Sequence, residues 1–256
     1  MGHERIGFLP KTQTWNKIVT QFTNFDKSKN IVSQIADQTL ENIRTLYKTM
    51  HDNDSVFKAI NFLTILSISA NHEDQVSFLN ANGINISEIS KFSIAYCIKE
   101  YVNTEQGSLE TNKIASDAIL EAIAKYEHDN RNLQNDLFNT KTENLWNKIG
   151  NGSNFCELAR LFFASFTDRH LRYYLEREAA HSIDNFQKFD NFKKTLYEQI
   201  TQHSFETAKI MQSFAAGWFN KYAVSGMPTK DEINGFLKLS FEKMREEFRR
   251  EAKKDL

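Results

Sequence analysis

The 256 residues predict an all-α fold, an irregular bundle of about eight to ten helices. Three observations carry the prediction. Nine glycines and two prolines stand where average usage gives roughly 18 and 13. Turns, hairpins and bulges consume those residues, so their scarcity selects long helices over strands. Apolar residues recur three and four apart through most of the chain, and no stretch alternates polar and apolar convincingly. With 40% apolar and 25% charged residues, a chain of this length buries a sizeable core.

The first segment is an apolar arm, Ile6 to Pro10, apolar enough to dock on its own domain or on a partner. Pro10 stops a helix from running back through it. Trp15, Ile18, Val19, Phe22 and Phe25 then recur at helical spacing, and a second helix spans Asn30 to Met50. A polar break at residues 51–54 precedes a third helix, capped by Asp54 or Ser55 and running to Ala70. That helix is apolar nearly all round, which places it in the core. It carries Lys58 and Asn61 and is too short to cross a bilayer. A short helix from Glu73 to Asn80 ends on Asn82-Gly83, a left-handed C-cap signal. The next opens at Ser87 and Glu88 and reaches Val102, with Ile89, Phe92, Ile94, Tyr96 and Ile98 as its apolar residues.

Gly107-Ser108 marks a seam before a helix from Thr111 to Glu127. Residues 128–142 are thin in apolar side chains. Gly150 to Ser153 holds two glycines within three residues, the strongest loop signal in the chain. It divides the sequence into an N-terminal lobe, 1–150, and a C-terminal lobe, 151–256, unless the two form one continuous domain. Asn154 to His181 is the longest apolar segment free of Gly and Pro, capped by Ser153 or Asn154. After a break near residues 182–190, one long helix is expected from Phe192 to Tyr222, weakened at Gly217. Ser225 to Pro228 stops it. Thr229 to Glu232 is a capping box opening a last helix whose stripe is Ile233, Leu237, Phe241, Met244 and Phe248. The tail from Arg249 onward has no apolar anchor and is expected to fray.

Several functions are excluded or weakened at this stage. Net charge is −1, so no overall basic excess announces a nucleic-acid binder. Phosphate-binding loops of the GxxxxGK[ST] and GxGxxG kinds are absent, as are GxSxG and HExxH. Cys97 and Cys156 form no CxxC pair and read as buried thiols. No apolar run of membrane-spanning length and no secretory leader is present, so a cytoplasmic protein, bacterial in composition, is expected.

What chemistry the chain carries concentrates in residues 154–181. Arg169, Arg172 and Arg177 with Tyr173 have the composition of a phosphate, nucleic-acid or partner contact. Asp168–Arg172 and Arg172–Glu176 are i,i+4 pairs that neutralise the same arginines within the helix. Glu178 and His181 have the ExxH spacing of one half of a carboxylate-bridged metal site, with no second copy. The resulting expectation is a non-enzymatic interaction or accessory subunit of an intracellular multiprotein complex, with a protein partner or a second copy and no cofactor. A helical nucleic-acid module and a metal-dependent helical enzyme are the alternatives.

Overall fold

The computed structural model describes residues 47–105, 108–131, 149–182, 186–224 and 226–254. Among them are eight α-helices, two 3₁₀ turns and no strand, so the fold is all-α as the composition requires. The helices are α1 (Asp54–Ser69), α2 (Gln75–Ala81), α3 (Lys91–Val102), α4 (Leu109–Arg131), α5 (Gly152–Ser182), α6 (Phe186–Ala208), α7 (Ala215–Tyr222) and α8 (Lys230–Lys254). The N-terminal arm, the first expected helix, the second up to residue 46 and most of the polar stretch after Arg131 lie outside the described residues. Where the second helix was expected to run on to Met50, residues 47–49 form a turn and Met50–Asp52 a 3₁₀ turn.

α5 is the axis of the bundle. Every residue from Leu161 to Asp168 is buried, which an amphipathic surface helix cannot show. α4 packs along one side of it, α6 along another, and α7 and α1 cover the rest. A single apolar cluster runs from Tyr47 to Phe248 and includes residues on both sides of Gly150. Its aromatic centre joins α5, α7 and α8: Phe236 stands 5.8 Å from Phe155, 4.6 Å from Trp218 and 6.3 Å from Phe163 between ring centres.

The caps explain where the helices start. Asn53, rather than Asp54 or Ser55, caps α1, its carboxamide accepting from the Ser55 and Val56 amides. Asp74 caps α2 through Ser77, and Gly83 takes the left-handed φ of +82° expected after Asn82. α3 begins at Lys91 under a Ser90 cap, four residues later than the sequence suggests. Residues 84–90 stay outside the helix because Asn80 brackets Ile86, donating to its carbonyl and accepting from its amide. The capping box of α8 forms as read, with the Thr229 amide donating to Glu232 and the Glu232 amide donating to Thr229. α8 continues to Lys254, past the point where the tail was expected to fray.

Two other expectations are corrected. The long helix from Phe192 to Tyr222 is broken by a 3₁₀ turn at Lys209–Ser213, not at Gly217. The turn buries Met211 and redirects the chain, so that Ala215 and Phe219 of α7 face the core and Phe219 stacks 4.7 Å from Phe155. The glycine-rich stretch is also not all loop. α5 starts at Gly152, with Asn151 accepting from the Asn154 amide. Gly152 is there for close approach: a Cβ on it would lie 2.7 Å from the Ala216 carbonyl oxygen and 2.5 Å from Asn220 Oδ1. Asn220 can swing away, but a backbone carbonyl cannot. Gly152→Ala therefore costs about 1–3 kcal/mol of unfolding free energy in urea titration. Gly235→Ala is the opposite case, since nothing lies within 4 Å of its Cβ on the exposed face of α8. That change gains about 0.5–1 kcal/mol from helix propensity. Equal signs for the two would refute the close-packing account of Gly152.

Candidate functional site

α4 and α5 run antiparallel, and between them opens a groove of about 610 Å³. Its walls hold Asp117 and Glu121 from α4 and Asp168, Arg169, Arg172 and Tyr173 from α5. Three of the four arginine and tyrosine residues singled out in the sequence thus line one groove. The Arg177 side chain lies outside the described residues, as do those of Glu178 and His181.

The arginines are held by carboxylates. Arg169 reaches Glu121 at 3.0 Å and Asp117 at 3.6 Å. Glu121 also takes Lys125 at 2.7 Å, and Asp117 takes Lys113 at 2.8 Å. Burial opposes ionisation of Glu121, but Lys125 and Arg169 outweigh it and hold the carboxyl below its usual range. Arg172 pairs with Asp168 at 3.0 Å and donates to the Thr201 hydroxyl at 2.6 Å, while Thr201 donates to Asp168 at 2.9 Å. Its guanidinium lies 4.0 Å from the centre of the Tyr197 ring. Asp168 is the more buried partner, and burial pushes its carboxyl up against the pull of Arg172 and Thr201. Of the two pairs expected within the helix, Asp168–Arg172 forms, whereas Glu176 turns to Lys193 on α6 at 3.6 Å. The groove lining carries five carboxylates against three cations. It is an ion-pair network that ties α4 to α5 and α5 to α6.

Among the described residues, no group of three His, Cys, Asp or Glu is arranged to hold a metal. Both cysteines are buried free thiols. Cys156 donates to the Met211 carbonyl at 3.6 Å, and burial raises its pKa, so the helix N-terminus does not make it a thiolate. No described helix is long and apolar enough to cross a membrane.

A different surface was not legible as a site. Phe92 and Tyr96 on α3 are 90% and 66% exposed, although the sequence groups them with the apolar residues of that helix. The buried stripe of α3 is Ile94, Cys97, Ile98 and Val102. Residues two apart on a helix point to opposite sides, so Phe92 and Tyr96 cannot share the face of Ile94. That offset is the sequence signal that would have separated them. The two rings edge a hollow of about 540 Å³, which Asn85, Ile86 and Ser87 close from the preceding segment.

No protein-family model, curated protein or solved structure matches the chain.

Proposed function

We propose that this chain is a non-enzymatic interaction subunit of an intracellular protein complex, and that it meets its partner through the Phe92–Tyr96 face of α3. The observation that carries the reading is the exposure of two large aromatic side chains one helical turn apart. In a chain that buries Phe62, Phe155, Phe162, Phe163, Phe166, Phe219 and Phe236, folding does not explain a projecting aromatic pair. Phe186 on α6 is also exposed, but among the described residues no second exposed aromatic stands beside it. Aromatic anchors of this spacing are the means by which a helix engages an apolar surface of another protein. Covering one such ring contributes about 1.5–3 kcal/mol.

A nucleic-acid role for Arg169, Arg172 and Tyr173 has less support. A phosphate would have to displace Glu121, Asp117 and Asp168 from the arginines, in a groove whose lining is net negative. A metal-dependent enzyme would rest on Glu178 and His181, whose side chains lie outside the described residues.

Lys91 and Lys99 flank the aromatic pair and are exposed, so amine-reactive cross-linking reports on this face directly. Cross-links from Lys91 and Lys99 to a partner are expected in the wild type and absent in Phe92→Ser. Unfolding free energy should stay within about 0.5 kcal/mol, because an exposed side chain is being changed. Cross-links that survive Phe92→Ser and Tyr96→Ser would refute the assignment of this face.

A further inference from the structure

We infer that α5 and α6 enclose a binding site for an internal water molecule, built by the hydroxyls of Ser165, Ser204 and Thr207. Side chains of the two helices meet in an antiparallel ladder. Glu176 meets Lys193, Arg172 meets Tyr197, and Asp168 meets Thr201. Each step moves four residues back along α5 and four forward along α6, about one turn of each helix. Three residues further on, the same two stripes carry Ser165 and Ser204. Thr207 follows three residues after Ser204, on the same side of α6. The ladder thus passes from a half-exposed ion pair, through the buried Asp168, to three hydroxyls closed off from bulk solvent.

None of these three hydroxyls has a hydrogen-bond partner among the described residues. Other buried hydroxyls find one. Thr64 donates to the Ile60 carbonyl, Ser69 to that of Leu66, Ser240 to that of Phe236, and Tyr47 to the Thr167 hydroxyl. Among the described residues, the buried hydroxyls without a partner are Ser67 on α1 and the three at this one end of the ladder. A hydroxyl both donates and accepts, and burying it without a partner forfeits the hydrogen bonds it makes with water in the unfolded chain. An internal water makes about three hydrogen bonds, which is what three facing hydroxyls supply. Neutral hydroxyls offer no counter-charge, so they do not select an ion. Thr207 stands two residues before the 3₁₀ turn at Lys209–Ser213. The bound water therefore fastens α6 to α5 at the point where the chain leaves the helix.

A high-resolution crystal structure of the full chain tests the site. It should show a water oxygen within about 3 Å of at least two of the three hydroxyl oxygens. A well-ordered seam with no such oxygen overturns the inference. Urea titration of Ser204→Ala gives an independent reading, because the two cases differ in sign. In a hydrated site the change takes a partner from the water that Ser165 and Thr207 share, and the unfolding midpoint falls. In a dry seam it removes an unpartnered group, and the midpoint rises. A midpoint that rises or stays where it was overturns the inference. The wild type can also be read without any variant: cross-relaxation between water and the Thr207 methyl protons should carry the sign of a long-lived internal water, and its absence counts against the site.

Discussion

Phe236→Ala is expected to lower the unfolding free energy by about 3–5 kcal/mol. Its ring is 1% exposed and meets Phe155 and Phe163 of α5, Phe214 ahead of α7, and Trp218 on α7. These neighbours come from separate elements, each fixed by its own further contacts, so they cannot collapse together into the space left by a ring. The loss is then the transfer term plus a cavity term. Urea titration should show a lower midpoint with an unchanged slope, the mark of altered stability without altered compactness. A cost below about 1 kcal/mol would place the site among surface positions and would mean that α8 is not seated on α5 and α7 as described.

The second large effect is a dependence of stability on pH that originates at His170. The imidazole is buried, stacked 5.7 Å from Phe166 and 6.1 Å from Tyr47, and burial lowers its pKa from 6.5 to about 4. Above pH 6.5 it is neutral in both states and its contribution is complete. Between 6.5 and 4 the unfolded chain takes up a proton that the folded chain refuses, so stability falls as the solution is acidified. By pH 4 the loss reaches about 3 kcal/mol. Asp168 acts in the opposite sense, because its raised pKa lets the folded state accept a proton first. The His170 contribution is therefore read as a difference. Unfolding free energies of the wild type and His170→Phe, each followed from pH 7 to pH 4, should diverge by that amount, with the wild type losing more. Parallel curves would show that the imidazole reaches water.

Local rules made some parts of this structure readable in advance. α8 is the clearest case. A capping box fixes its start, and Ile233, Leu237, Phe241, Met244 and Phe248 are all buried along one stripe. The pairing of Asp168 with Arg172 followed from i,i+4 geometry alone. What escaped notice was decided by contacts distant in sequence. Arg169 finds Glu121 forty-eight positions away on α4, and nothing in either segment announces the other. The break at Lys209 arises because Met211, Ala215 and Phe219 must turn toward α5, although the intervening residues are capable helix formers. Gly152 reads as a loop residue because its real constraint, the Ala216 carbonyl, belongs to another helix. Phe92 and Tyr96 were not told apart from the buried apolar residues of α3 for a simpler reason. Hydrophobicity marks what a side chain prefers, and only its angle around the helix says whether the core is there to receive it.

Tyr47 has a consequence for how the chain is made. Its hydroxyl donates to Thr167 at 2.9 Å, and its ring lies 5.2 Å from Phe241 and 5.9 Å from Phe248. One of the earliest described side chains is thus fastened to the middle and to the far end of the sequence. Such a contact closes only after α8 has been synthesised, and closing so long a loop slows folding. Until then the emerging chain carries Phe163 and Phe166 of α5 without the Phe241 ring that packs on both. The exposed apolar surface of that interval is what chaperones bind. A chain stopped before Lys230 should be a substrate for them, whereas the chain carried through Phe248 should be released.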